Sequence, residues 1–259
     1  MPELSKAGPY EDVARALART PFSSIAYVEE TASTNADAAA LLDDERFGGH
    51  TIVAEYQSRG AGRKGRTWLA TAGTALLFTT ILPRPVDTEH LWIVPYWVAL
   101  AVGDALLDFG IASMLQWPND LLIGDRKIAG ILCQSAVMGS SARVACGVGI
   151  NVRRSLAGPP IEPSPAFCSD VAAVDRSALL QAILTHYNRA LASLAQPERV
   201  RAQWDAAAGL PGRRYRIAPD EGGEFEGTAE GLAAGGGLRV VRDDGAIVVV
   251  GLADSRVLR

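Results

Sequence analysis

The sequence predicts an α+β fold in two unequal parts, a large domain over residues 1–209 and a small β domain over residues 210–259. Three observations predict it. Up to Ala208, β-prone runs are interleaved with longer segments whose apolar residues recur at helical spacing. After Leu210-Pro211-Gly212 the chain changes to short β-prone runs separated by Gly-rich turns. The 259 residues are 48% hydrophobic, enough for one large core or a core with a small module attached.

Tyr10 to Arg19 reads as a short amphipathic helix with Val13, Ala14 and Leu17 on one face, stopped by Pro21. Ile25 to Val28 is a strand. Thr34, with Asp37 three residues on, resembles a capping box opening an Ala/Leu-rich helix to Leu42. Thr51 to Tyr56 and Ala75 to Leu82 are strands, the second ended by Pro83 and Pro85. Leu91 to Phe109 is a long helix closed by Gly110. Leu121 to Ile123 and Lys127 to Val137 form a hairpin about Gly124-Asp125. Just ahead of it, Pro118 fixes the backbone before Asn119 and Asp120. Arg143 to Val152 is a strand whose Gly147 and Gly149 permit close approach. Residues 153–176 read as a loop. Ser177 is the expected cap of a helix with Leu180, Ile183, Leu184, Tyr187, Leu191 and Leu194 on its core face. Pro197 opens a further helix through Trp204 to Ala208. Four strands follow, Arg213 to Ile217, Glu224 to Leu232, Leu238 to Arg242 and Ala246 to Leu252, with Asp244-Gly245 as a hairpin turn.

Charge and composition narrow the function. The net charge of −4 gives no global basic field, so any positive site is local and no nucleic-acid partner is expected. Cys133, Cys146 and Cys168 are odd in number and lack metal-ligand spacing, which suits reduced thiols in a cytoplasmic protein. His50, His90 and His186 are scattered and read as structural. The N-terminal stretch carries Glu3, Glu11 and Asp12 without a long apolar run, so no signal peptide is expected. Ile93 to Leu107 is interrupted by Pro95 and Asp104 and reads as a buried helix rather than a membrane span.

The stretch that carries chemistry is Gln57 to Trp68. Between Arg59 and Arg66 three glycines stand among four cations. Glycines bring backbone N–H groups close to a ligand, and Arg and Lys beside them make an anion site, most naturally for phosphate. Gly60-x-Gly62-x-x-Gly65 matches the dinucleotide fingerprint in letters, and Gly60 to Thr67 nearly matches a P-loop. Both need a helix to follow, and Thr67 to Thr74 does not read as one. A solvated basic surface loop is the plainer reading of the stretch alone.

Five motifs in order change that reading. They are Ser33-Thr34-Asn35; Gln57 with Gly60-x-Gly62-Arg63-x-Gly65-Arg66-x-Trp68; Trp117-Pro118-Asn119-Asp120; Lys127-x-Ala129-Gly130-Ile131-Leu132; and Gly147-x-Gly149-Ile150-Asn151. Together they resemble the biotin–protein ligases, over residues 25–152 closely and the remainder loosely, the C-terminal β module resembling that family's SH3-like domain. The resemblance implies a mixed-sheet catalytic domain of the biotin/lipoate ligase type, related to class II aminoacyl-tRNA synthetases, followed by a small SH3-like β-barrel. It implies a two-step reaction. Biotin and ATP, with Mg²⁺, give biotinyl-5′-AMP and pyrophosphate, and a lysine of a biotin carboxyl carrier protein then takes the biotinyl group.

By the same resemblance, Ser33, Thr34, Asn35, Gln57, Ala61, Gly62, Arg63, Lys127 and Gly130 face biotin. Arg63, Lys64, Arg66, Trp68, Asn119 and Lys127 face ATP, and Asp120 helps place a metal ion. Lys127, Arg63 and Arg66 are the catalytic cations. They suit the chemistry, because two anions, a carboxylate and the α-phosphate, must meet while charge builds on the phosphate. Positioning supplies much of the rest. The glycine-rich loop is expected to be mobile without ligand and to order over the adenylate, keeping water from the mixed anhydride.

Two positions depart from the family pattern. Ala61 stands where an Arg or Lys is common, and Gln116 where a Lys usually precedes Trp-Pro-Asn-Asp; Arg59 is a candidate replacement charge. Both changes bear on affinity for ATP more than on reaction class. About 24 residues precede the first matching strand, against the longer N-terminal DNA-binding domain of bifunctional members, so no operator binding is expected. A homodimer through strand edges is open. The competing readings are a ligase for another acid such as lipoate or octanoate, a biotin- or adenylate-binding protein that no longer turns over, and a nicotinamide-dependent oxidoreductase.

Overall fold

A computed structural model describes residues 6–155, 162–220, 223–252 and 255–258. In chain order the elements are α1 (Glu11–Ala16), β1 (Ile25–Thr31), α2 (Thr34–Ala39), β2 (Thr51–Gln57), β3 (Ala75–Ile81), β4 (Val86–Asp87), α3 (Val94–Asp108), β5 (Met114–Gln116), β6 (Asp120–Ile123), β7 (Arg126–Met138) and β8 (Ser141–Asn151). Then follow α4 (Arg176–Ala190), α5 (Pro197–Ala207), β9 (Arg214–Pro219), β10 (Phe225–Leu232), β11 (Leu238–Arg242), β12 (Ile247–Val250) and β13 (Ser255–Leu258).

The larger sheet runs β1-β2-β3-β8-β7-β6-β5, with β4 pairing β8. Among the described residues only the β1–β2 ladder is parallel, bridged by the crossover through α2, so the sheet is mixed as expected. Side chains alternate across it and divide the interior in two. Val144, Cys146, Val148 and Ile150 of β8 join the main core with α3 and α4, whereas Ala145 faces a smaller cluster with Ala38 of α2. Gly147 and Gly149 share the parity of Ala145 and lie on the α2 face. That face is therefore floored by backbone, and a cavity opens there. β3 is buried along its whole length because both faces are covered.

Helix α3 follows a 3₁₀ turn, Thr88–Ile93, rather than starting as one helix at Leu91. The combined segment Thr88–Asp108 is long and apolar enough to cross a membrane by composition. It packs instead into the main core, with Tyr96, Trp97 and Val102 buried.

The second sheet has the order β12-β11-β10-β9-β13, all antiparallel. Sequence reading missed β13, whose run is short and apolar only in part. No ladder joins β12 to β13 among the described residues, so the expected barrel is an open sheet. Its inward residues Ile217, Ala229, Leu238 and Val240 belong to the same hydrophobic cluster as Trp204 of α5 and Tyr96 of α3.

Two local expectations are corrected. Thr34 and Asp37 do not form a capping box: Ser33 is the N-cap, and Asp37 accepts instead from Thr31 Oγ1 at 2.7 Å. The cap of α4 is Asp175, whose carboxylate accepts from the Ala178 N–H at 2.9 Å, two residues ahead of Ser177. Short polar side chains compete for these roles, and the turn of the chain before the helix selects among them.

Candidate active site

The start of α2, the loop after β2, the β5–β6 turn, the start of β7 and the glycines of β8 converge on the α2 face. They enclose a cavity of about 400 Å³. All fourteen residues singled out from the sequence line it: Ser33, Thr34, Asn35, Gln57, Ala61, Gly62, Arg63, Lys64, Arg66, Trp68, Asn119, Asp120, Lys127 and Gly130.

One end is a buried polar floor. Gln57 Oε1 accepts from the Thr34 N–H at 2.8 Å and from Thr34 Oγ1 at 3.1 Å. Asn35 Nδ2 donates to the Leu132 carbonyl at 3.0 Å, and its Oδ1 accepts from Thr79 Oγ1 at 2.6 Å. Thr34, Asn35 and Thr79 are buried and Gln57 is half-buried, so each bond also avoids the cost of an unpaired polar atom. Asn35 fits only because Gly147 lacks a side chain: a Cβ there would stand 1.8 Å from Asn35 Oδ1.

The other end is cationic. Lys127 Nζ lies 2.6 Å from Asp120 Oδ1 across the β6–β7 ladder and 5.3 Å from the Trp68 ring centroid. The Trp68 indole rests on Gly149 and Gly130, where added Cβ atoms would come within 2.6 and 3.0 Å of it. Asn119 Nδ2 donates to the Ile131 carbonyl at 2.7 Å, which aims its Oδ1 toward Arg63, 3.5 Å away.

The basic loop closes on itself. Trp68 N–H donates to the Gly60 carbonyl at 2.8 Å, Gly62 N–H to the Arg66 carbonyl at 2.7 Å, and Ala61 bridges Thr67. Lys64 takes φ +55° at the tip, beside Gly65 at φ +70°. Two contacts fasten the loop to the C-terminal sheet: Arg63 Nη2 donates to the Leu252 carbonyl, and Lys64 Nζ meets Asp220 at 2.6 Å. Burial lowers the pKa of Arg63, opposed by the nearby Tyr96 and Asp120. Arg66 is exposed at the rim.

A cavity with hydrogen-bonding groups at one end and a cluster of cations over a glycine floor at the other suits a polar ring system and an anion in line. Comparison with known proteins agrees. The model of the biotin/lipoate A/B protein ligase family matches residues 27–151. The biotin–[acetyl-CoA-carboxylase] ligase of Mycobacterium tuberculosis is 32% identical over 247 residues, covering 90% of this chain and 88% of that protein. The chain belongs to the biotin protein ligase family. Bifunctional ligase/repressor BirA of Escherichia coli is 34% identical over 136 residues, 50% of this chain and 40% of that one. Biotin protein ligase from Aquifex aeolicus, solved with biotin and ATP, superposes with a TM-score of 0.73 at 22% identity over 92% of this chain and 100% of that one, which bears on the fold.

Within this ligase fold some site features were not legible in the sequence. Arg59 is exposed and outside the lining, so it does not replace a charge at Ala61; its N–H instead donates to the Ala32 carbonyl at 2.9 Å. Pro163 and Val257 line the cavity, and Leu252 and Asp220 hold its loop. These four lie far along the chain from the motifs, and only folding brings them in. Gln116, read as a departure, is a lining residue. Asp120 is the carboxylate in the lining, and it is engaged by Lys127. The described group of three potential metal ligands, Asp87, Glu89 and His90, lies outside the lining.

Proposed function

We infer that the protein is an ATP-dependent biotin ligase, forming biotinyl-5′-AMP and passing the biotinyl group to a lysine of a biotin carboxyl carrier protein. The observation that carries this is the meeting of the polar floor at Thr34 and Gln57 with the cations Arg63 and Lys127 in one cavity.

On this reading the biotin ring lies over Ser33, Thr34, Asn35 and Gln57, with the backbone at Ala61, Gly62 and Gly130 beside it. The carboxylate extends toward Lys127 and Arg63. A carboxylate oxygen attacks the α-phosphorus of ATP, and pyrophosphate leaves. Lys127 and Arg63 offset the charge that builds on the phosphoryl oxygens. Lys64 and Arg66 face the polyphosphate, and Trp68 and Asn119 border the adenine. In the second step the carrier lysine, as the free amine, attacks the acyl carbon and AMP leaves. Asp120, the one lining carboxylate among the described residues, does not make a cage for a divalent ion. The donor set fits Mg²⁺ carried in by the phosphates, with Asp120 at most a neighbour.

Residues 210–259 act here as a C-terminal domain that fastens the loop. The loop's hold on Leu252 and Asp220 supports a lid over the adenylate. The carrier domain, a cytoplasmic setting and strand-edge dimerisation belong to the same proposal, and no nucleic-acid or membrane partner is part of it. ATP–pyrophosphate exchange with biotin, with lipoate and with neither tests it. Biotin-dependent exchange is expected. Exchange with lipoate alone moves the specificity to another acid, and exchange with neither leaves a binding protein.

A further inference from the structure

Gln116 ends β5 and stands opposite Asp120 in the β5–β6 register, the same Asp120 that holds Lys127. It is only 6% exposed, yet it lines the cavity. Its Oε1 accepts from Arg213 Nη2. A guanidinium only donates, so the reversed amide would set donor against donor, and the orientation is fixed. What Gln116 then offers the cavity is the two hydrogens of Nε2.

Arg213 comes from the segment that leads into β9 of the C-terminal sheet. Its Nη1 donates to the Leu115 carbonyl at 2.8 Å, and its guanidinium lies 5.4 Å from the Tyr215 ring centroid. The cation is thus anchored from two sides, behind the amide and outside the cavity lining.

We propose that Gln116 is a ligand-binding residue for the phosphate groups of the nucleotide, and that Arg213 is the positioning residue that turns its amide toward them. The inference rests on the biotin-ligase reading and deepens it. The chemistry favours an anion: two N–H donors, polarised by a guanidinium on the far side of the same amide, suit phosphate oxygens. The location favours phosphate over the biotin ring, because Gln116 sits beside the Asp120–Lys127 pair rather than with Thr34 and Gln57. The C-terminal sheet therefore reaches the reaction through one side chain as well as through the loop. An amide here also supplies donors without adding a third charge to the Asp120–Lys127 pair.

The test uses the full chain and five forms: wild type, Gln116→Glu, Gln116→Met, Arg213→Gln and Gln116→Met combined with Arg213→Gln. KM for ATP and KM for biotin are read from pyrophosphate exchange, with ATP affinity by titration calorimetry alongside. Gln116→Glu keeps the length and the Arg213 contact but replaces donors with a charged acceptor. We expect its KM for ATP to rise about tenfold or more, as for loss of a bond to a charged group, with KM for biotin and the melting temperature little changed. Arg213→Gln should raise KM for ATP in the wild-type background and add nothing beside Gln116→Met, which has no amide left to turn. Should Arg213→Gln fail to fold, Arg213→Lys replaces it. Unchanged ATP affinity in Gln116→Glu overturns the binding role. An equal effect of the Arg213 change in both backgrounds overturns the positioning role and leaves Arg213 a tie between sheets. Absent biotin-dependent exchange in the wild type defeats the ligase reading instead, and the calorimetry still decides whether Gln116 holds nucleotide phosphate.

Discussion

Lys127 and Asp120 meet across the β6–β7 ladder with Nζ 2.6 Å from Oδ1, and neither is more than a third exposed. Asp120 ends the Trp-Pro-Asn-Asp motif and Lys127 begins the next one, so a hairpin turn makes two sequence motifs into one device. The carboxylate holds the ammonium at the cavity.

Lys127→Ala should therefore abolish most adenylation while the protein stays folded. Loss of one donor aimed at developing charge costs about 10²–10³-fold in turnover. Biotin-dependent pyrophosphate exchange measures it, with circular dichroism as the folding control. Unchanged exchange would remove Lys127 from the site. Asp120→Asn should cost less, about tenfold, because it only loosens the ammonium.

Gly147→Ala should close the polar floor. The new methyl cannot share space with Asn35, whose amide is held by Leu132 and Thr79. Overpacking of this kind costs about 1–3 kcal/mol. A lower melting temperature together with weakened biotin binding by calorimetry is expected; wild-type binding would mean that Asn35 does not set the floor.

Arg63→Gly removes both a cation and the loop's tie to Leu252. The intermediate should escape into solution and label unrelated lysines. Asp220→Ala, which frees Lys64 only, should show a weaker form of the same leakage. Mass spectrometry of bystander proteins reads this directly, and an unaltered product pattern from Arg63→Gly counts against a retaining role.

His50 gives a pH prediction. Burial lowers its pKa below 6.5, and its Nδ1 lies 2.7 Å from Ser24 Oγ. Over the window below 6.5 the unfolded chain binds the proton more readily than the folded one. Its contribution to stability is thus complete above pH 6.5 and is lost as pH falls through the depressed folded value. Melting temperature should drop across that window in the wild type and drop less in His50→Asn. Parallel curves would assign the acid sensitivity elsewhere.

Much of the cavity lining was legible because each motif is a local backbone requirement. Gly60, Gly62 and Gly65 with Arg63 and Arg66 mark a loop whose backbone and cations suit an anion, and Gly62, Arg63 and Arg66 line the cavity. Gly147 and Gly149 announce close approach before it is known what approaches. The capping details were less legible, since Ser33, Thr34, Asp37, Asp175 and Ser177 are all competent caps and geometry chose among them.

The sequence by itself determined most of the order of elements, without β4, β5 and β13, the change to an all-β segment after Leu210, and fourteen of the side chains that line the cavity. Periodicity and glycine placement are local, so they are written in neighbouring residues. Tertiary structure alone decided that Asn35 meets Gly147, that Trp68 lies on Gly130 and Gly149, and that Arg213, Asp220 and Leu252 reach back to Gln116 and the loop. Those pairs are separated by many residues, and which strands become neighbours depends on burying both faces of one mixed sheet at once.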